Sequence, residues 1–202
     1  MTATALLGDT DRRALLDVAT DVIGDAVTRR DPRMPDPAHF EGLLREPGAS
    51  FVTLERRGQL LGCIGTLVAA EPLVVDVARH ALAAAFADPR LPPVTRNDFA
   101  EMSVKVSVLS TPEPVPAATF DELVAAVRPS VDGLLVEAGR HRATLLPSVW
   151  DHVADTDQFL GVLWQKAGLV HGAWPAGVAV SRYTTEEFGD PGPRPSIGAV
   201  NR

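Results

Sequence analysis

The sequence predicts an α+β fold with a largely antiparallel or mixed sheet and flanking helices. Helix-like and strand-like segments follow one another without the regular alternation of a parallel α/β protein. The strand-like segments are joined by short turns, which favours antiparallel pairing. In addition, 46 % of the 202 residues are apolar, enough for a substantial core in a chain of this length.

The first third of the chain begins with two helical segments. Apolar residues recur at helical spacing from Asp11 to Val27, which predicts an amphipathic helix. Asp36-Pro37 has the pattern of an N-cap followed by proline at the first helical position, so a short helix is expected through Leu44.

Residues 49–65 are expected to form a β-hairpin around Arg57-Gly58, a pair suited to a two-residue turn with positive φ. A regular register then places Val52 opposite Cys63, Leu54 opposite Leu61, and Phe51 opposite Ile64. Both faces of this hairpin are mostly apolar, so it is expected in the middle of the sheet.

The central part of the chain predicts one buried helix and one strand. Residues 73–87 are almost entirely apolar and precede Asp88-Pro89, a helix-ending pair. Asp76 and His80 lie one turn apart on the only polar edge of this helix and are expected to form a surface pair. Residues 103–110 alternate serine or lysine with valine, the period of a half-buried strand.

The last third predicts two capped helices, a hairpin and a strand. Thr119 and Glu122 form a capping box for a helix to about Val127, and residues 134–137 and 143–146 are expected to pair. Asp155 caps a helix that ends near Gly168, and residues 178–183 form the last expected strand. Residues 189–202 are rich in proline and glycine and are expected to be disordered or to form an arm that binds a partner.

Composition excludes several classes of protein. A single cysteine cannot form a disulfide or a four-cysteine zinc site within one chain. The formal net charge of −7 argues against nucleic-acid partners. No apolar run is long enough to span a membrane, and the amino terminus lacks a signal pattern, so a cytoplasmic location without membrane contact is expected. The histidine spacing indicates no metal site, and the absence of a glycine-rich phosphate loop indicates no nucleotide cofactor.

Several motifs in order resemble the AMMECR domain family. They are FVTL, GQLLGCIGTL, EPL, DPRLPPV, VSVLSTPEPV, LLPSV, and FLGVLWQKAGL with Trp174 after it. The bacterial and archaeal members are called AmmeMemoRadiSam system protein A. The resemblance implies an AMMECR-like domain over residues 1–188, with two unequal lobes in one compact unit. It also implies that the chain functions together with a Memo-type protein and a radical S-adenosylmethionine protein.

Cys63 lies in the signature of this family, within the run Gly62-Cys63-Ile64-Gly65. A catalytic thiol needs a nearby cation, histidine or helix amino terminus to lower its pKa. The family pattern has arginine where this chain has Leu61. Because residues two apart on a regular strand share a face, Leu61 gives Cys63 an apolar neighbour. Cys63 is thus a candidate nucleophile, and we favour a structural role for it, with Gly62 and Gly65 present for a backbone reason such as a bulge, tight packing or positive φ.

Further candidates for ligand or partner binding surround this signature. They are Leu61, Gly62, Ile64, Gly65 and Thr66, together with Arg90 and His152. Arg90 can hold a carboxylate or a phosphate, or it can pair with Asp88 and fix the loop. In the same loop, Leu91 replaces an aromatic residue of the family pattern.

Three functions fit the sequence. The first is a binding or adaptor component that uses the signature surface for a partner or small ligand. The second is a small enzyme with a thiol-containing pocket around Cys63. In the third, the signature serves folding only and function lies in loops such as residues 111–116. Leu61 favours the binding component, since an enzyme relying on an arginine–cysteine couple would keep the arginine.

Overall fold

The structure is a computed structural model that describes residues 7–28 and 30–193. The chain divides into two compact units: unit 1 comprises Met1–Leu109 and Glu186–Arg202, and unit 2 comprises Ser110–Thr185. These units are unequal in size, as the resemblance implied for the two lobes. Most of the segment expected to be a disordered tail, residues 194–202, lies outside the described residues.

The elements of the described residues are as follows. The α-helices are α1 (Asp9–Val27), α2 (Leu73–Phe86), α3 (Arg96–Glu101), α4 (Phe120–Ala126) and α5 (Thr156–Ala167). The strands are β1 (Pro47–Gly48), β2 (Ser50–Arg56), β3 (Gln59–Gly65), β4 (Glu71–Pro72), β5 (Met102–Leu109), β6 (Glu113–Pro114), β7 (Gly133–Ala138), β8 (His141–Leu145), β9 (Ala179–Tyr183) and β10 (Thr185–Asp190). Short 3-10 helices cover Pro37–His39, Gly42–Leu44 and Pro147–His152.

Unit 1 is built on a four-stranded sheet in the order β10-β5-β2-β3, in which β2 pairs antiparallel with both neighbours. Helix α2 packs on β2 and β3, and α1 packs on α2. The core between the helices and the sheet includes the fully buried side chains of Leu15, Ile23, Leu54 and Val77. The expected central position of the hairpin is therefore right for β2 and wrong for β3, which is an edge strand.

The predicted hairpin turn is confirmed, but its register is wrong beyond the turn. Arg57 and Gly58 have φ values of 52° and 78°, and Arg56 pairs with Gln59. A β-bulge then leaves Leu61 without a partner on β2, because Leu54 lies opposite Gly62 and Glu55 opposite Leu60. The bulge shifts each later pair by one residue.

Other parts of unit 1 differ from the expectations in detail. The short helix expected through Leu44 consists of two 3-10 turns, the first capped by the Asp36 carboxylate. Helix α3 was not expected, although Thr95 and Asp98 form its capping box. Strand β10 was not expected either, and it includes the first two residues of the proline- and glycine-rich segment.

Unit 2 contains an antiparallel sheet in the order β6-β9-β7-β8, with α5 packed on β7 and β8. The predicted caps of α5 are present: the Asp155 carboxylate accepts the N–H of Gln158, and Gly168 ends the helix at φ 73°. The core includes Phe159, Leu163 and Trp164, all fully buried. Trp150 stacks on Phe159 at a ring distance of 4.0 Å.

The α+β class and the largely antiparallel sheets are confirmed. Within the described residues, no helix has the length and apolar character needed to cross a membrane.

Candidate functional site

The signature segment lies on β3, the edge strand under helix α2. Gly62 faces the helix so closely that a Cβ atom there would overlap the carbonyl oxygen of Ala84. A backbone oxygen of a packed helix cannot swing aside as a flexible side chain does. Gly62 is therefore needed for the contact between β3 and α2.

The backbone of Cys63 is held on its outer side by two side chains of the loop after α2. Its N–H donates to the Asp88 carboxylate at 3.0 Å, and its carbonyl oxygen accepts from the Arg90 guanidinium at 3.0 Å. Arg90 also forms a two-pronged ion pair with Asp88, with N–O distances of 2.8 and 2.6 Å. These two side chains give an edge strand the hydrogen bonds that a further strand would supply.

The ion pair of Asp88 and Arg90 stabilises the charged form of both side chains. Hydrogen bonds from Arg90, and then from the N–H of Cys63, hold the pKa of the Asp88 carboxyl far below its usual range. The same ion pair raises the pKa of Arg90, and the proximity of Cys63 adds to this shift. Arg90 therefore places a guanidinium beside Cys63 from another part of the chain, and the Asp88 carboxylate pairs with it there.

The Cys63 side chain is half-buried and accepts a hydrogen bond from the Thr53 hydroxyl at 3.3 Å. Leu61 and Ile64, by contrast, pack against the core of unit 1. The expectation that Leu61 is the strand neighbour of Cys63 assumed a regular strand, and the bulge at Leu61 breaks that alternation.

The end of β3 serves the packing of the sheet. A Cβ atom on Gly65 would overlap the ring of Phe51 and the carbonyl oxygen of Ser50. The N–H of Thr66 donates to that same oxygen at 3.0 Å, and the Thr66 hydroxyl accepts the N–H of Val68. Gly65 and Thr66 thus both act within the fold.

His152 lies in unit 2, as the last residue of the 3-10 helix Pro147–His152, and it is exposed. The other candidates, residues 61–66 and Arg90, all lie in unit 1. The structure therefore brings seven of the eight candidates together within one unit.

A buried polar group in unit 1 was not recognised from the sequence. Ser50 donates to the Asp76 carboxylate at 2.6 Å, and Nδ1 of His80 lies 3.2 Å from the same oxygen. Asp76 is only 2 % exposed, so the expected surface pair of Asp76 and His80 is wrong. The helix edge that carries them is covered by strand β2, whose first residue is Ser50.

A cavity of about 440 Å³ lies beside the signature strand, within unit 1. Its walls come from the hairpin tip, the loop after α2 and the first turn of α3. The lining residues are Arg56, Arg57, Gln59, Leu60, Leu61, Leu91, Pro92, Pro93, Val94 and Asp98. Leu61 and Leu91, two positions at which the resemblance implied other residues, thus lie in one cavity.

The charged side of this cavity is an ion-pair network. Arg56 pairs with Asp98 at 2.8 Å and with Glu101 at 3.2 Å, and Arg57 pairs with Glu101 at 2.8 Å. The hydrogen bonds to these carboxylates raise the pKa of Arg56. In residues 7–28 and 30–193, no group of three or more His, Cys, Asp or Glu side chains is arranged to hold a metal ion.

Comparison with other proteins gives consistent relatives. A protein of Methanothermobacter thermautotrophicus is 36 % identical over 169 residues, which cover 82 % of this chain and 86 % of that protein. A protein of Thermotoga maritima is 34 % identical over 156 residues, which cover 76 % of this chain and 84 % of that protein.

A solved structure has the same fold. The crystal structure of the uncharacterized protein PH0010 from Pyrococcus horikoshii matches with a TM-score of 0.79 and 31 % identity, covering 89 % of this chain and 91 % of that one. The family model described as AMMECR1 matches residues 16–188, which include the whole signature strand and its loop. This chain therefore belongs to the AMMECR1 family.

Proposed function

We propose that this chain is a binding or adaptor component that works with a Memo-type protein and a radical S-adenosylmethionine protein and forms no covalent bond itself. The resemblance to AmmeMemoRadiSam system protein A implies these partners. The place of action that we propose is the cytoplasm, since one cysteine and no possible internal disulfide suit a reducing compartment.

One observation supports a binding role above all. The chemistry-bearing groups of the signature are used inside the fold: Asp88 and Arg90 hold the backbone of Cys63 and pair with each other. Beside them lies a cavity with an apolar wall and an exposed rim, where Leu60 is 38 % exposed. Apolar side chains on such a rim are suited to contact with a partner.

The binding role is tested with the purified chain and the Memo-type and radical S-adenosylmethionine proteins of the same organism. Isothermal titration gives the dissociation constant for each pair. A charge buried at a contact costs binding energy, so Leu60→Asp is expected to weaken association by about tenfold or more.

Leu43→Asp is the matched control, because Leu43 is also in unit 1, is 37 % exposed and lies outside the cavity lining. It is expected to bind partners as the unmodified chain does. Absence of association with both partners, or equal loss in the two variants, would contradict the proposal.

The alternative is a small enzyme with a thiol pocket, and its support is the Arg90 guanidinium beside Cys63, which Asp88 also pairs. The two functions differ in the reactivity of the thiol. For a binding component, we expect Cys63 alkylation to stay slow until well above pH 7, and Cys63→Ser to retain partner binding. Rapid alkylation at pH 6 to 7 that is lost in Arg90→Gln would instead support the enzyme.

A further inference from the structure

We propose that the cavity beside the signature strand binds a small organic acid with an apolar body. This inference deepens the proposed function by adding a small-molecule ligand to the same surface. It rests on the proposed function only in taking that surface to be a binding surface. Its size suits a small molecule, because ligand sites commonly have volumes of about 300 to 1,000 Å³, and this cavity measures about 440 Å³.

The apolar wall consists of leucine side chains and a loop without free donors. In residues 91–94, Leu91 donates its N–H to the Asp88 carbonyl and Val94 donates to the Ala85 carbonyl. Pro92 and Pro93 have no N–H. This loop therefore offers side-chain surface and no backbone N–H to a ligand, which suits a hydrocarbon or aromatic body.

The hydrogen-bond donors of the cavity are concentrated at the hairpin tip. Arg56 and Arg57 lie there, and each guanidinium carries five N–H groups. Glu101 engages one nitrogen of each, and Asp98 engages one more of Arg56. Donors therefore remain on both guanidiniums for a ligand carboxylate.

The two arginines are held differently. Arg56 is half-buried and pairs with Asp98, whose position is fixed by its hydrogen bonds with Thr95 at the start of α3. Arg57 is 76 % exposed, and exposed ion pairs contribute little stability. A ligand carboxylate can therefore replace Glu101 on Arg57 while Arg56 keeps its orientation.

The hydrogen-bond donors favour an anion over a cation in this cavity. The guanidiniums of Arg56 and Arg57 are balanced by the carboxylates of Asp98 and Glu101, so the preference comes from the unused N–H donors and not from a net positive charge. A cationic ligand would have to compete with Arg56 and Arg57 for the Asp98 and Glu101 carboxylates, whereas a carboxylate can use guanidinium N–H groups that these two side chains leave unused. In an organic acid bound here, the carboxylate accepts hydrogen bonds at the hairpin tip and the apolar body packs against Leu61 and Leu91.

The test uses 4-phenylbutyrate and its neutral analogue 4-phenylbutanamide, titrated into the full ¹⁵N-labelled chain and followed by amide NMR shifts. We expect 4-phenylbutyrate to shift the amides of residues 56–61, 91 and 94. The carboxamide is expected to bind about tenfold more weakly, because it lacks the charge-assisted hydrogen bonds.

Two arginine variants make the test specific. Arg57→Gln is expected to weaken 4-phenylbutyrate by about three- to tenfold and to leave the carboxamide unchanged. Arg79→Gln is the matched control, because Arg79 is also an exposed arginine paired with one glutamate, Glu71, outside the cavity. The amide spectra of both variants show whether the fold is kept.

Three results would overturn the proposal: no shifts at the cavity, a carboxamide that binds as well as the acid, or equal effects of the two variants. Partner titrations separate this outcome from failure of the proposed function. If the partner proteins bind and 4-phenylbutyrate does not, the ligand is wrong and the binding role stands. If only 4-phenylbutyrate binds, the partner role fails and the ligand site stands.

Discussion

The Asp88 carboxylate accepts the backbone N–H of Cys63 at 3.0 Å, so a side chain takes the place that a neighbouring strand would occupy on the edge of β3. Arg90 completes the replacement by donating to the Cys63 carbonyl oxygen. Unpaired edge strands invite pairing with another chain, and this pair of side chains closes the middle of the edge. The charged loop and the signature strand thus form one structural unit.

The first prediction concerns acid stability. The pKa of Asp88 is lower in the folded than in the unfolded chain, so its contribution to folding is present above its ordinary pKa near 4 and is lost as the pH falls below that value. We expect Asp88→Asn to lower the free energy of unfolding at pH 7. Below pH 4, the free energy of unfolding of this variant should decrease less with falling pH than that of the unmodified chain. Urea unfolding at pH 7, 4 and 3 measures this.

The exposed Asp121→Asn serves as its control, because Asp121 lies at the start of α4 without such a bond network. It is expected to leave the acid dependence as in the unmodified chain. An Asp88→Asn variant with the same midpoint at every pH would contradict the role given to the carboxylate.

The second prediction concerns glycine packing. Gly62→Ala forces a methyl group onto the Ala84 carbonyl, so strand and helix must separate, and we expect a loss of about 3 kcal/mol in the free energy of unfolding. Gly161→Ala is the opposite case, since a Cβ atom there meets only ordinary contacts at 3.6 Å inside helix α5. It is expected to stabilise by about 0.5 to 1 kcal/mol.

Chemical denaturation of the two alanine variants checks both signs. Equal stability of Gly62→Ala and the unmodified chain would show that α2 does not lie against β3 as described.

The hairpin shows how far the sequence determines this fold. Arg57-Gly58 specifies its turn locally, and that prediction was correct. Gly62 and Gly65 pointed to a bulge, tight packing or positive φ, and the structure has a bulge at Leu61 and tight packing at both glycines. The position of the bulge was missed. A pattern of alternating residues cannot detect such an insertion.

The same distinction explains the remaining differences. The capping box of Thr95 and Asp98 was visible as a local signal for α3, whereas β10 pairs with β5 across about eighty residues and has no strong strand composition. For the candidate site, the motifs singled out Cys63 and Arg90. Only the structure shows that Arg90 reaches the Cys63 carbonyl and that Leu61 lines a cavity with Arg56.

The third prediction concerns a buried carboxylate in unit 2. The Asp132 side chain is fully buried and accepts from the backbone and guanidinium of Arg128, with Arg182 at 3.7 Å. Asp132→Asn turns one acceptor into a donor that faces these cations. We expect a loss of about 3 kcal/mol, as for other broken buried pairs.

The matched exposed carboxylate is Glu137, which pairs with Arg142 at 3.2 Å while both side chains are about half exposed. Glu137→Gln is expected to cost less than about 1 kcal/mol. Thermal unfolding of both variants compares them, and similar losses would mean that burial does not decide the effect.

The last prediction concerns Tyr183, the single tyrosine of the chain. Burial raises the pKa of Tyr183 to about 12, and the hydrogen bond with Thr144 opposes part of that rise. The phenol donates to the Leu145 carbonyl at 3.0 Å, and its oxygen lies 2.6 Å from the Thr144 hydroxyl. Because the folded chain favours the neutral phenol, its contribution to stability is present below pH 10 and is lost as the pH rises through about 12.

Absorbance at 295 nm reports this group alone, since no other tyrosine is present. We expect ionisation near pH 12 in the folded chain and near pH 10 after unfolding in urea. Thr144→Val removes a hydroxyl that can turn to donate to the phenolate, so the pKa of Tyr183 should rise further in that variant. A midpoint near pH 10 in the folded chain would mean that water reaches the phenol, and the packing of Tyr183 against Gly133 would then be wrong.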